Sequence, residues 1–212
     1  MNDLALQQWR GLKRPLVAIL RGVGPNEIAT ISDALVGAGI EAIEVPLNSP
    51  DPFRSIAILV ERHGDACLVG AGTVLTVAEV DQLADTGAQL CISPNCDVAV
   101  IARAAARGLI SLPGVFSPSE ALSAARAGAT ALKFFPASIL GPDGIKAMRA
   151  VLPPDLDVAA VGGVGEGDFA AYAAAGIRAF GLGSSLYKPG MDTKSVGRRA
   201  AATVAAWDRV HA

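Results

Sequence analysis

A short unit repeats along this chain and restricts the folds that it can form. Helix-like stretches end at a glycine, and each glycine leads at once into a short apolar run. The glycines are Gly39, Gly64, Gly87, Gly108, Gly128 and Gly176, with successive separations of 25, 23, 21, 20 and 48 residues. The last gap spans two units because VLPPDLDVAAVGG supplies another run, and LVAIL at residues 16–20 supplies the first. The chain therefore contains eight strand-like runs.

The apolar runs are typical of strands that are buried on both faces. They are rich in Val, Ile, Leu and Ala and do not alternate cleanly with polar residues. The segments between them have helical periodicity. Residues 117–120 (SPSE) and 24–27 (GPNE) predict helix starts, with proline in the first turn and a carboxylate near the positive end. We expect each glycine after a helix to adopt the left-handed cap conformation.

Eight strand–helix units in 212 residues predict an α/β fold, a (β/α)₈ barrel that forms a single domain over residues 1–212. The alternative is an open, doubly wound sheet. The regular units, and the lack of a glycine-rich dinucleotide turn after the first strand, favour closure. Residues 2–12 predict an extra amphipathic helix that covers the lower end of the barrel, and residues 192–211 predict the last outer helix.

Composition excludes several classes of function. The net charge is -2 without a block of basic residues, so nucleic acid is not an expected partner. No uninterrupted apolar run reaches the roughly 18 residues that span a bilayer, and no secretory signal pattern is present. We therefore expect a cytoplasmic protein without a membrane partner. His63 and His211 are the two histidines, and Cys67, Cys91 and Cys96 include no CxxC pair, so no metal site is expected.

Polar residues stand at the ends of the predicted strands, where barrels of this type carry their chemistry. In strand order they are Arg21, Glu44, Thr73, Ser93-Pro94-Asn95, Pro113-Gly114, Lys133, Gly162-Gly163 and Gly183-Ser184. Because the strands are parallel, these groups converge at one end of the barrel.

Lys133 and Glu44 each interrupt an apolar strand, in ALKFF and IEVPLN. Burial of an ammonium ion is costly unless it is paired, and it lowers the pKa toward the free amine that imine formation requires. A carboxyl group facing the same cavity would transfer protons. The alternatives are a solvent-reaching lysine and a buried ion pair of Glu44 with Lys133 or Arg21.

Glycine turns follow the last two predicted strands, at Gly162-Gly163 and Gly183-Ser184. Barrels often bind a phosphate group there through backbone N–H groups. The alternative is ordinary loop glycine.

Several motifs in this chain resemble one family in the same order and spacing. They are IEVPLNSP (43–50), VGAGTVL (69–75), ISPN (92–95), LKFFPAS (132–138) and AVGGV (160–164). The chain resembles, from residue 15 to 187, the class I aldolases that cleave 2-keto-3-deoxy-6-phospho sugar acids to pyruvate and glyceraldehyde 3-phosphate. The resemblance implies a Schiff base on Lys133, proton transfer by Glu44, no metal or other cofactor, and a homotrimer.

The resemblance also implies the substrate contacts. Arg21 and Thr73 are expected at the acid end of the substrate or at nearby oxygens, with the role of Arg21 open between carboxylate and phosphate. The residues expected to hold the phosphate are Gly162, Gly163, Gly183 and Ser184.

Two branches of the family differ in the C4 configuration of the substrate. Pro46, Asn48 and Val161 resemble the galactonate branch, whereas Phe134 and Ala137 resemble the gluconate branch. Val161 is expected at the substrate, where a hydroxyl could hydrogen-bond the C4 oxygen of one epimer, and its lack of a hydroxyl removes that bias.

We therefore expect cleavage of the 6-phosphogalactonate compound. The alternatives are the same reaction on the gluconate epimer or on both, a metal-free sugar-phosphate isomerase or epimerase, and a non-catalytic sugar-phosphate binding protein.

Overall fold

The computed structural model describes residues 3–212, and its strands form one parallel sheet. The strands are β1 (Leu16–Ile19), β2 (Ala42–Pro46), β3 (Leu68–Gly72), β4 (Leu90–Ile92), β5 (Ile110–Leu112), β6 (Gly114–Val115), β7 (Ala131–Phe134), β8 (Asp157–Val161) and β9 (Ala179–Leu182).

Helices connect these strands and pack around them. They are α1 (Asp3–Gly11), α2 (Ile28–Gly37), α3 (Pro52–His63), α4 (Val77–Asp85), α5 (Val98–Ala106), α6 (Pro118–Arg126), α7 (Ala137–Arg149), α8 (Phe169–Ala174) and α9 (Thr193–His211). A 3₁₀ turn at Glu166–Asp168 precedes α8.

The predicted fifth strand is divided into β5 and β6 by Pro113, which has no N–H group for a sheet ladder. β5 pairs with β4, and β6 pairs with β7. Thr130 N donates to Ser111 O at 3.0 Å and Lys133 N donates to Pro113 O at 2.9 Å, so β7 also bonds the β5 side. These bonds close the sheet. The predicted (β/α)₈ barrel is confirmed, and the open sheet was the wrong alternative.

The helix boundaries depart from the predictions at two places. Gly64 has φ -56°, in the right-handed region, because the chain reverses over the longer turn that leads to β3. The other five repeat glycines have the predicted positive φ. The predicted start at residues 24–27 forms a turn that leads directly into α2, which begins at Ile28. The start at Ser117 is as predicted, with a capping box between Ser117 and Glu120.

Alternation along the strands divides the apolar core into two parts. Outward side chains such as Ile43 and Leu132 pack in a large cluster against the helices. Inward side chains pack in a second, smaller cluster inside the barrel. The inward set is Val17, Ala42, Leu90, Ile92, Ile110, Leu112, Ala131, Ala159 and Ala179. The interior is therefore filled by side chains at its lower end, as in other small barrels.

Helix α1 covers the lower end of the barrel, as predicted. Residue 2 of the predicted helix lies outside the described residues. Ala5 and Trp9 on α1 are buried and belong to the inner cluster, and the Trp9 side chain has no exposed surface. Among the described residues the Trp9 Nε1 group has no hydrogen-bond partner, so this side chain contributes through apolar contact. Within residues 3–212, no helix is long and apolar enough to cross a membrane.

Replacement of Trp9 tests the contribution of α1 to the barrel. Trp9→Ala should leave a cavity at the base of the barrel and lower the free energy of unfolding by about 3–5 kcal/mol. Gln7→Ala, an exposed position on the same helix, should change it by less than about 0.5 kcal/mol. Urea unfolding followed by circular dichroism measures both. Equal, small effects for the two variants would show that α1 does not support the barrel.

Candidate active site

Strand alternation brings Glu44 and Lys133 into the interior of the barrel. Their neighbours two residues earlier, Ala42 and Ala131, belong to the inner cluster. Because side chains two residues apart on a strand share a face, Glu44 and Lys133 point inward above that cluster. Both are almost fully buried, with 2% and 6% of their surface exposed.

A cavity of about 420 Å³ opens above this pair at the C-terminal ends of the strands. All nine residues that the sequence predicted for the site line it: Arg21, Glu44, Thr73, Lys133, Val161, Gly162, Gly163, Gly183 and Ser184. Six further residues line the cavity: Ile19, Pro94, Phe135, Val164, Gly181 and Ser185. The predicted convergence of polar groups at one end of the barrel is therefore observed.

The Glu44 carboxyl packs directly against the backbone of Gly72 on the neighbouring strand. A Cβ atom at Gly72 would overlap both carboxyl oxygens of Glu44. Oε2 of Glu44 is buried and has no hydrogen-bond partner within residues 3–212. Burial raises the pKa of this carboxyl to about 7, although the charges of Lys133 and Arg21 lower it. Near neutral pH, Glu44 can both donate and accept a proton, as a general acid and base must.

The Lys133 amine is likewise buried, with little access to water. Burial lowers the pKa of Lys133 and the charge of Arg21 lowers it further, while the charge of Glu44 raises it. Nζ lies 4.7 Å from the centre of the Phe135 ring, at the wall of the cavity. A lowered pKa makes the neutral, nucleophilic amine more abundant near neutral pH.

Glu44 forms no ion pair with Lys133 or Arg21 in the part of the chain that the structure describes. The buried ion pair, one alternative for these residues, is therefore not formed. Two desolvated groups whose pKa values move toward neutrality are typical of reactive sites.

The glycine turns after β8 and β9 shape the other wall of the cavity. Gly162 and Gly163 have φ of 92° and 72°, a region that favours glycine. A Cβ atom at Gly162 would lie 3.0 Å from the Phe135 ring, and one at Gly163 would overlap Ser138 Oγ. Bare backbone therefore faces the cavity here, which suits an anionic group.

Thr73 and Val161 occupy constrained positions on the cavity wall. Thr73 has φ 57°, an uncommon left-handed conformation for a residue with a branched side chain. The Val161 methyl groups face Gly181, where a Cβ atom would lie 2.7 Å from Cγ2 of Val161. Glycine at residue 181 therefore leaves the space that the Val161 methyl groups occupy on the cavity wall.

Sequence reasoning missed Gly72 and Phe135 as members of the site. Gly72 was visible as the second glycine of GAGT, but its proximity to Glu44 depends on the pairing of β2 with β3. Phe135 was visible two residues after Lys133, and strand alternation alone places it on the same face.

Comparison with known proteins identifies related chains. The family model for KDPG and KHG aldolase matches residues 10–198. A Rhizobium meliloti (strain 1021) protein named "Probable 2-dehydro-3-deoxy-6-phosphogalactonate aldolase" is 61% identical over 94% of both chains. The 2-dehydro-3-deoxy-6-phosphogalactonate aldolase of Escherichia coli (strain K12) is 46% identical over 94% of this chain and 97% of its own. A solved structure described as native KDPGal superimposes with a TM-score of 0.92 and 46% identity, over 94% of this chain and 97% of that chain.

The raised pKa of Glu44 predicts a pH-dependent stability. Between the ordinary value of 4.5 and about 7, the folded chain holds a proton on Glu44 that the unfolded chain has lost. The free energy of unfolding should therefore fall as the pH rises across this interval. Glu44→Gln should remove this effect and be more stable than the parent at pH 8, by about 1–3 kcal/mol, with a smaller difference at pH 5.

Urea unfolding at the two pH values measures this difference. Glu61→Gln, at an exposed position on α3, is the matched control and should not change the pH dependence. The same stability difference between Glu44→Gln and the parent at both pH values would contradict a raised pKa at Glu44.

Proposed function

The chain belongs to the KDPG and KHG aldolase family, and we propose that it cleaves 2-dehydro-3-deoxy-6-phospho-D-galactonate to pyruvate and D-glyceraldehyde 3-phosphate. One observation carries the mechanism: the buried amine of Lys133 and the buried, unpartnered carboxyl of Glu44 face one cavity. We propose Lys133 as the nucleophile and Glu44 as the proton carrier of a class I aldolase.

In the first half of the proposed reaction, the neutral amine of Lys133 attacks the C2 ketone of the substrate. A proton moves from the nitrogen to the former ketone oxygen, and the product is a carbinolamine. Glu44, protonated near neutral pH, donates a proton to the leaving hydroxyl. Water leaves, and the resulting iminium is the electron sink for the next step.

In the second half, the ionised Glu44 accepts the proton of the C4 hydroxyl. The C3–C4 bond breaks as the C4 carbonyl forms, which releases glyceraldehyde 3-phosphate and leaves an enamine on Lys133. Glu44 then gives this proton to C3 of the enamine, which becomes the iminium of pyruvate. Addition of water at C2 and release of the amine return Lys133 and free pyruvate.

Backbone and side-chain groups on the cavity wall are proposed to hold the substrate. The turns at Gly162-Gly163 and Gly183-Ser184 offer open backbone to the phosphate. Arg21 follows β1 and Thr73 follows β3, on either side of β2, which carries Glu44. We propose Thr73 for oxygens at the acid end of the substrate.

The side chains that line the cavity support the galactonate epimer. Val161 lines the cavity, so its side chain offers the substrate no hydroxyl that could bond the C4 oxygen of the gluconate epimer. Phe134 and Ala137, which resemble the gluconate branch, are fully buried among outward-facing core residues. Specificity is therefore proposed to depend on Val161 rather than on Phe134 or Ala137. One hydrogen bond contributes about 1 kcal/mol, so the preference is expected to be partial.

A homotrimer is the proposed assembly, as the family resemblance implies. Exposed apolar side chains follow β3, β4, β6 and β7 at the cavity end of the barrel: Leu75 and Val77, Val98, Phe116, and Ile139. A second copy of the chain would cover such side chains. The proposal that residues 1–212 form one aldolase domain, and the cytoplasmic location expected from the sequence, stay predictions.

The assembly proposal predicts a molar mass in solution near three times the 21.5 kDa of the chain. Light scattering on the eluting protein measures it. Phe116→Glu, at the 44% exposed Phe116, should shift the mass toward the monomer, because a charge at a covered apolar surface is costly. A parent protein that elutes as a monomer would contradict the trimer.

The proposed reaction predicts pyruvate release from the galactonate compound, with kcat/KM at least about fivefold above that for the gluconate epimer. Both epimers are assayed side by side, with Lys133→Ala as the blank and the exposed Lys146→Ala as the matched control. Lys146→Ala should retain parental activity. Lys133→Ala should lose more than about a thousandfold, because the nucleophile is absent.

Two outcomes would count against this proposal. If neither epimer yields pyruvate, the isomerase and binding-protein alternatives would be favoured. Borohydride reduction in the presence of pyruvate should attach a reduced pyruvate to Lys133 in the parent and in Lys146→Ala. An unmodified parent would overturn the imine mechanism, since an isomerase needs no such adduct.

A further inference from the structure

Arg21 at the mouth of the cavity is held by a neutral partner. Its Nη1 donates to the side-chain oxygen of Asn48, 2.6 Å away. Among the described residues Arg21 forms no ion pair. The guanidinium is therefore oriented by a neutral acceptor, with no carboxylate bonded to it in the described structure. A carboxylate in the same place would form a charge-assisted bond and cancel the charge.

A second bond joins the same two loops one residue further along. Gly22 N donates to Ser49 Oγ at 2.9 Å, and the Ser49 side chain is almost fully buried. Ser49 N in turn donates to Pro46 O, at the end of β2. Asn48 and Ser49 thus lie in a tight turn directly after the strand that carries Glu44. The position of Arg21 is tied to that of Glu44 through this turn.

The opposite side of the Arg21 loop is fixed as well. Gly22 has φ 82° and packs against Pro189, where a Cβ atom would lie 2.8 Å from Cγ of the proline. Glu27 accepts hydrogen bonds from Gly24 N at 3.2 Å and from the buried Tyr187 hydroxyl at 3.1 Å. The loop is therefore held between the segments that follow β2 and β9, so Asn48 acts on a side chain whose backbone is already placed.

Arg21 stands beside the turn at Gly183-Ser184. β1 pairs with β9, so the two loops are neighbours around the barrel. Arg21, Gly183 and Ser184 line both the main cavity and an adjoining space of about 390 Å³, whose wall includes Lys188. The geometry favours the phosphate end of the substrate for Arg21.

We propose that Asn48 is a positioning residue that orients the Arg21 guanidinium toward the substrate phosphate without neutralising it. This inference rests on the proposed function for the identity of the substrate. Asn48 does not line the cavity and acts through Arg21.

Substitutions at residue 48 separate orientation from charge. Asn48→Asp keeps the acceptor oxygen but places a negative charge against Nη1, which cancels the charge of Arg21. Asn48→Ala removes the acceptor and leaves the charge. If residue 48 only supports the loop, Asn48→Asp should bind phosphate as tightly as the parent. If it keeps Arg21 charged, phosphate affinity should fall in the order Asn, Ala, Asp.

Calorimetric titration with inorganic phosphate tests this order without catalysis. Asn48→Ala should raise the dissociation constant for phosphate about two- to fivefold, and Asn48→Asp should raise it about tenfold or more. Gln82→Glu adds the same charge at an exposed position on α4 and should stay within about twofold of the parent. Thermal unfolding of each variant verifies that it is folded.

A second readout uses pyruvate, which has no phosphate. Borohydride trapping of pyruvate on Asn48→Asp should match the parent, while KM for the phosphorylated substrate rises with kcat nearly unchanged. Three outcomes would each overturn the inference. Asn48→Asp could bind phosphate as tightly as the parent, or it could lose the pyruvate adduct while phosphate binding is kept. The third outcome is that the parent does not bind phosphate. Failure of the parent to form the pyruvate adduct counts against the proposed function only, because the phosphate titration decides the role of Asn48 independently.

Discussion

The closed barrel imposes a strict alternation on every strand, and the rest of the structure depends on it. Each strand must pack one face against the helices and turn the other into a narrow interior. Ile43 and Leu132 serve the outer face, so their neighbours Glu44 and Lys133 have no position other than the interior. The same rule that fills the lower barrel with apolar side chains therefore delivers an amine and a carboxyl to its upper end.

Burial of these two groups changes their chemistry because water no longer solvates their charged forms. The pKa of Glu44 rises to about 7 and that of Lys133 falls. In the described structure they form no ion pair that would restore ordinary behaviour. Such an arrangement costs stability, and the helix at the base of the barrel, with the buried Trp9, supplies apolar contact at the other end. The site and its support occupy opposite ends of one interior.

The fold was largely predictable because its signals are local and repeat. Glycines after helices and short apolar runs marked the units, and eight of them indicate closure. The errors occurred at helix ends, where the same residue type can adopt more than one backbone conformation. Gly64 follows its helix in the right-handed region, and residues 24–27 form a turn ahead of α2. Pro113 divides a predicted strand, yet the ladder bonds around it still close the barrel. The nine predicted site residues all line the cavity, because they follow parallel strands whose ends share one edge.

The sequence by itself determined the strand–helix repeat, the eight units, and the residue types at the C-terminal ends of the strands, because each depends on neighbours along the chain. Only the tertiary structure decided which of those residues touch. Gly72 leaves room for the Glu44 carboxyl because β2 and β3 pair in one register, and Asn48 reaches Arg21 because two loops meet above adjacent strands. These contacts join residues 27 and 28 positions apart, and no local pattern encodes a distance between loops.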